Sequence, residues 1–270
     1  MGRGDPLTED GGRGAPGAGH DPDGLGVDRD LGGPGVDRDP GRIAAMFGRI
    51  APRYDLMNRL MTAGLDRSWR RLAAEEAALS YGDGALDVCC GTGDLSFALV
   101  DRWPSCDVTG LDFTDEMLTR AREKAAERSG TDLRRLRFVQ GDVLALPFAD
   151  DEFAAVTVGW GVRNVPDLPR ALSEMTRVTR PGGRVVCLES TRPPEGLGRR
   201  FHQMWFDRLV PSLGRVVAGE GSAYEYLPAS VHDFPDADRL AGLMVAAGLA
   251  RVRFRRLGFG AVALHVGEAP

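Results

Sequence analysis

The stretch Leu86-Asp87-Val88-Cys89-Cys90-Gly91-Thr92-Gly93-Asp94-Leu95 carries the sharpest chemical signal in the chain. A short apolar run ends in two glycines and then opens a helical pattern, the signature of a strand turning into a helix. Gly91 and Gly93 permit a sharp turn and a close approach of backbone to ligand, since neither has a Cβ. The first N–H groups of the following helix are free to bind there too. A dinucleotide pyrophosphate would call for a third glycine, and Ser96 stands in its place. Asp87, four residues before Gly91, brings a negative charge instead. That suits a ligand carrying an ammonium and a sulfonium and no phosphate, which describes S-adenosylmethionine. Taken alone, the loop also admits the lesser reading of a packing turn.

Two more carboxylates fall where such a ligand would need them. Asp112 closes the second apolar run about 20 residues beyond the glycines, a position from which a carboxylate accepts ribose hydroxyls. Asp142, in Gln140-Gly141-Asp142-Val143, closes the third run, within reach of an adenine amino group. Met117 and Val143 would give the ring apolar contact. Each aspartate singly could be a helix cap. Three acidic strand ends on one edge of one sheet point to a ligand, because open α/β sheets bind there.

These positions depend on the elements that hold them. Apolar strands at 85–89, 106–111, 136–140, 154–159 and 184–189 alternate with helical stretches at 94–101, 114–128 and 168–179. That rhythm predicts an α/β fold with a doubly wound, mostly parallel sheet and right-handed crossovers. A helix near 236–247 leads into strands 251–257 and 260–266, joined through Gly258 and Gly260 as an antiparallel hairpin, for seven strands in all. Ahead of the sheet, Ile43, Met46, Phe47, Ile50, Tyr54, Met57, Leu60 and Met61 recur at helical spacing, with an interruption expected at Pro52. A second helix is expected from Asp66 to Leu79. Residues 192–235 break the rhythm, with a helix-like run through Phe201, Met204, Trp205 and Leu209 and then a turn-rich part holding Tyr224, Tyr226 and Leu227. Residues 1–41 are dominated by Gly, Asp, Pro and Arg and repeat Gly-Val-Asp-Arg-Asp at 26–30 and 35–39. Such a segment buries too little apolar surface to offset its ordering entropy, so disorder is expected there and one domain over 42–270.

Composition narrows the function classes. A 43% hydrophobic, 27% charged chain is ordinary for a globular protein, and a net charge of −5 argues against a nucleic-acid binder. Lys124 is the one lysine among 34 basic residues, read here as a bias of composition. The four cysteines fit neither a zinc spacing nor a disulfide framework, so reduced thiols and no metal are expected. There is neither an apolar run of membrane-spanning length nor an apolar leader. A soluble cytoplasmic protein is the expectation, with peripheral membrane contact and self-association left open.

Further motifs outside the glycine loop carry a resemblance. They are Phe47-x-x-Ile50-Ala51-x-x-Tyr54-Asp55-x-Met57-Asn58, Asp66-Arg67-x-Trp69-Arg70, Gly161-Val162-Arg163-Asn164-Val165, Tyr224-x-Tyr226-Leu227-x-x-Ser230 and Val262-Ala263-Leu264-His265. With the Asp87–Gly93 loop and Arg180-Pro181-Gly182-Gly183-Arg184, shared by many class I methyltransferases, they span residues 43–267. In this set the chain resembles the menaquinone/ubiquinone biosynthesis C-methyltransferase family, and within it the branch that methylates demethylmenaquinone. The resemblance implies a Rossmann-like class I fold with a helical N-terminal lid, S-adenosylmethionine as methyl donor and a prenylated quinol as partner. It also implies that Thr92, Asp112, Asp142 and Val143 contact the cofactor. Gly159 departs from the family's usual serine, so a hydroxyl contact from that position is not expected. Cys89-Cys90 is also unusual where small residues are the rule.

Methylating a ring carbon needs a carbon nucleophile, which a quinol becomes once a ring hydroxyl loses its proton. Arg163 would stabilise the phenolate but is a poor base. Proton removal would then run through a water held by Asn164 or Tyr54. Met46, Phe47, Met57 and Met61, with Phe201, Met204, Trp205 and Phe206, would cover an apolar path for the prenyl chain, or simply form core. Arginines 199, 200 and 208 would meet anionic headgroups. Rival readings are a methyltransferase for another small acceptor and a cofactor-binding regulator without catalysis.

Overall fold

A computed structural model describes residues 37–128, 133–193 and 222–270. The tail through residue 36, the run Phe201–Leu209 and the arginines at 199, 200 and 208 lie outside the described residues.

Helix α1 spans Pro40–Met61, begun by Asp39, whose carboxylate accepts the Arg42 N–H, and by proline at the first helical position. The helix begins two residues ahead of residue 42, and Arg38 stands 2.6 Å from Asp233. The expected break at Pro52 does not occur. Pro52 is exposed, while Met46, Ala51 and Met57 are buried and anchor the helix on both sides of it. Helix α2 spans Asp66–Glu76.

Strands β1 (Gly84–Val88), β2 (Asp107–Asp112), β3 (Leu136–Gln140), β4 (Phe153–Gly159) and β5 (Thr179–Ser190) pair in parallel. Between them run α3 (Asp94–Arg102), α4 (Asp115–Glu127) and α5 (Leu168–Arg177). The order is β3-β2-β1-β4-β5-β7-β6, where the hairpin β6 (Ala250–Leu257) and β7 (Val262–Glu268) adds β7 antiparallel to β5. The central strands are buried on both faces, as a parallel sheet clad by helices requires. Leu172 and Met175 of α5, with Leu240 and Met244 of α7 (Ala237–Ala246), share one core with Leu86 and Val156. Ala74 of α2, with Leu99 and Val100 of α3, shares another with Ala85 and Val108.

The turn-rich stretch expected around Tyr224, Tyr226 and Leu227 is instead helix α6, Ser222–Asp233, which carries Pro228 inside it. Its Tyr226 packs against the Met46–Met57 cluster of α1, a long-range contact that decides the local structure. The Arg180–Arg184 segment belongs to the fifth strand rather than preceding it.

Candidate active site

A cleft opens at the carboxyl ends of β1, β2 and β4, where open α/β sheets bind their ligands. Two strand ends build its floor. Cys89 and Trp160 follow β1 and β4 with φ of 50° and 56°, so both strands turn away through left-handed backbone. Gly161 lets the turns meet, since a Cβ there would lie 2.3 Å from the Cys89 Cβ. Gly91, with φ of 55°, presents bare backbone to the cleft.

Asp112 lines the cleft with both oxygens oriented. One accepts the Gly91 N–H at 2.8 Å and the other the Thr114 N–H at 2.9 Å. Each keeps capacity for a second donor such as a ribose hydroxyl. Burial pushes this carboxyl above its ordinary range, and the backbone N–H groups oppose that rise. Asp142 is exposed at the rim, one oxygen accepting the Leu144 N–H at 2.9 Å. Met117 and Val143 are buried and form apolar wall. Paired acceptors, a bare turn and an apolar wall fit an adenosyl group.

The other expected cofactor residues sit elsewhere. Asp87 is fully buried beneath the loop, accepting from Thr157 Oγ1 at 2.9 Å and from Ser96 Oγ at 2.6 Å. Burial pushes its pKa up to about 7. Ser96, the residue in place of a third glycine, thus ties β1 to α3. Gly93 turns away from the cleft toward Phe138. Thr92 faces the back of the loop, its hydroxyl donating to Asp55 Oδ1 at 2.5 Å and accepting from Lys124 Nζ at 3.1 Å. Lys124 also binds Asp55 Oδ2 at 2.7 Å and Asp94 Oδ1 at 2.5 Å. Arg70 continues the chain to Asp94 at 3.5 Å and to Asp66. Burial alone would raise the Asp94 carboxyl, but Arg70 and Lys124 outweigh it and hold it below the ordinary range. Asp55 and Lys124 escaped the sequence reading, because only the fold brings residues from α1 and α4 together.

Tyr54 and Asn164 line the cleft, and Arg163 lies behind it. The ion pair that Arg163 makes is buried. Its guanidinium is 2.8 Å from Glu189 Oε1 and 2.6 Å from the Trp160 carbonyl, and among the described residues its Nε has no partner. Burial raises the Tyr54 phenol, and the Arg163 charge partly offsets this. Asn164 Oδ1 accepts the Tyr226 hydroxyl at 3.1 Å, which links α6 to the site. Glu189 was also missed, though a lone carboxylate closing the apolar run Val185–Leu188 was a readable signal. On α1, Ile43, Phe47 and Tyr54 form one wall of the cleft, the place the helical lid was expected. The four cysteines are free, and among the described residues no group of three or more His, Cys, Asp or Glu side chains could hold a metal.

This strand order, with a cleft above the carboxyl ends of β1 and β2, is that of the class I S-adenosylmethionine-dependent methyltransferases. Solved structures share the fold: a methyltransferase from Thermotoga maritima superposes with a TM-score of 0.58 at 17% identity, covering 84% of this chain and 100% of that one. One from Aquifex aeolicus gives 0.55 at 15%, covering 74% and 89%. The chain belongs to the ubiE/COQ5 methyltransferase family, which matches residues 36–269. Its sequence is 45% identical to the demethylmenaquinone methyltransferase of Thermus thermophilus, over 83% of this chain and all of that protein. The enzyme of the same name from Deinococcus radiodurans is 44% identical over 84% and 92%. A ubiquinone/menaquinone biosynthesis C-methyltransferase from Paracoccus denitrificans is 40% identical over 84% and 90%.

Proposed function

We propose that this chain transfers the methyl group of S-adenosylmethionine to a ring carbon of demethylmenaquinol, giving menaquinol. The observation that carries the reading is one cleft lined both by Gly91, Asp112, Met117, Asp142 and Val143 and by Tyr54 and Asn164. The names of the similar proteins supply the acceptor. S-adenosylmethionine, when bound, supplies a methyl group made electrophilic by its sulfonium. Asp112 and Asp142 hold and orient the nucleoside by its hydroxyls and amino group, with Met117 and Val143 against the ring. Thr92 acts from behind, fixing the turn that carries Gly91.

At the other end of the cleft the chain prepares the carbon nucleophile. The Asn164 amide orients the quinol or a water beside it, and Tyr226 holds that amide. Tyr54 stays a neutral phenol, able to donate to a ring oxygen or to pass a proton to water. Arg163, kept in place by Glu189, is a positioning residue whose positive charge favours a phenolate nearby. Among the described residues no helix is long and apolar enough to cross a membrane. A prenylated acceptor dissolves in the bilayer, so the enzyme works as a cytoplasmic protein in peripheral contact with it.

The test is incubation of the purified chain with S-adenosylmethionine and a short-chain demethylmenaquinol, followed by mass spectrometry. Methylated naphthoquinol forms from the reduced acceptor and not from the quinone. No product from the quinol, with turnover of an amine or a sterol instead, overturns the reading.

A further inference from the structure

We propose that the corner formed by α1 and α2 is a docking face for an anionic lipid surface. The charge of this corner runs against that of the molecule. The chain as a whole carries −5, yet between Gly41 and Ala74 the exposed charged residues are all arginines: Arg42, Arg49, Arg53, Arg59, Arg67 and Arg71. The same stretch holds two carboxylates, and both are taken internally. Asp66 is buried against Arg70, and Asp55 is held by Lys124 and Thr92. Arg42 pairs with Asp37 just ahead of this stretch and Glu75 is exposed just beyond it, so at this corner the exposed cations outnumber the carboxylates.

Apolar groups are exposed among those arginines. Leu56, Leu60 and Leu65 are 50%, 39% and 48% exposed, which makes them three of the few large apolar side chains the described fold leaves in solvent. Along α1 the spacing Arg49, Arg53, Leu56, Leu60 puts cation and leucine on one outward stripe. Arg59, Arg67 and Arg71, from both helices, border a single cleft and so act on the same region of space, and Glu75, Asp94, Asp101 and Glu127 line its other parts. Arginine above leucine is the pattern of an interfacial helix, in which the chains reach headgroup phosphates while the apolar tips enter the acyl boundary.

The face also has a use. The opposite stripe of α1, through Ile43, Phe47 and Tyr54, is a wall of the active cleft. A bilayer held on the outward stripe would lie about 10 Å away, the thickness of one helix. The docking inference rests on the prenylated-acceptor reading for this purpose, though the face itself is independent of it.

The experiment is co-sedimentation of the full chain with phosphatidylcholine vesicles, with and without about 30% phosphatidylglycerol. Wild type should pellet with the anionic vesicles and release as salt is raised. Arg59→Glu with Arg67→Glu and Arg71→Glu should weaken that binding by at least about tenfold, and Leu56→Ser with Leu60→Ser should weaken it by less. Methyl transfer to a water-soluble demethylmenaquinol should stay unchanged in both variants, which also reports folding. Glutamine in the three arginine positions replaces the reversal if that unfolds the corner. Wild type that ignores anionic vesicles, binds neutral ones equally, or binds as well after the charge change overturns the docking face. Retention on DNA or an acidic protein without vesicle binding does so as well. Vesicle binding with no transfer to the soluble quinol leaves the docking face standing and removes the proposed reaction.

Discussion

The two sides of the Cys89–Gly93 turn are built from the same residue types and do different work. On the cleft side, Asp112 and Asp142 spend their bonds on neighbouring backbone N–H groups and keep acceptor capacity toward the opening. On the far side, Asp55, Asp94 and Asp66 are each matched to a cation, with Thr92 between two of the partners. A carboxylate next to a binding loop is therefore no guide to ligand contact until its partners are known. Those paired with Lys124 and Arg70 hold α1, α2, α3 and α4 around the loop, and those met only by backbone N–H groups are left for a ligand.

Breaking the closed side should have the largest effect. Arg70→Met leaves Asp66 buried without its cation, and urea denaturation should show a loss of about 3–5 kcal/mol. On the open side, Asp112→Ala should weaken S-adenosylmethionine binding by about 10–100-fold in calorimetry, the cost of charge-assisted hydrogen bonds, with a smaller change in stability. Thr92→Val sharpens the contrast. It should cost about 1 kcal/mol of stability and leave cofactor affinity nearly unchanged, because its hydroxyl faces Asp55. A large rise in the cofactor Kd with no loss of stability would move Thr92 to the cleft side.

The buried carboxylate beneath the loop adds a dependence on pH. Asp87 has a folded pKa of about 7 against an ordinary 3.8, so the folded chain keeps a proton that the unfolded chain releases. Its contribution to stability is complete below the unfolded value and is lost as pH rises through about 7. Asp87→Asn, which mimics the protonated form, should gain on wild type between pH 5 and pH 8 in paired denaturation curves.

Much of this was legible in the sequence where the signal is local. The glycine loop, the acidic strand ends and the alternation of strand and helix follow from neighbouring residues, and β1 through α5 stand close to where periodicity puts them. The misses are long-range. Asp87 was readable as acidic, but its burial depends on the register that sets it beside Thr157 of β4. Pro52 and Pro228 argue locally for breaks, and tertiary packing carries both helices through. Arg163 was picked out by its motif, while its pairing with Glu189 joins residues 26 apart from two strand ends. Lys124 was set aside as composition, although it stands at the centre of the closed network.

That lysine gives the molecule an unusual property. Beyond the chain's first residue, Lys124 carries the only primary amine among 270 residues, and its side chain is 16% exposed between Asp55 and Asp94. Any reagent selective for amines thus addresses a single internal atom. The rate at which it is labelled reports how well the carboxylates of Asp55 and Asp94 shield that nitrogen, and an isotopic methyl placed there becomes one spectroscopic signal at the joint of α1, α3 and α4.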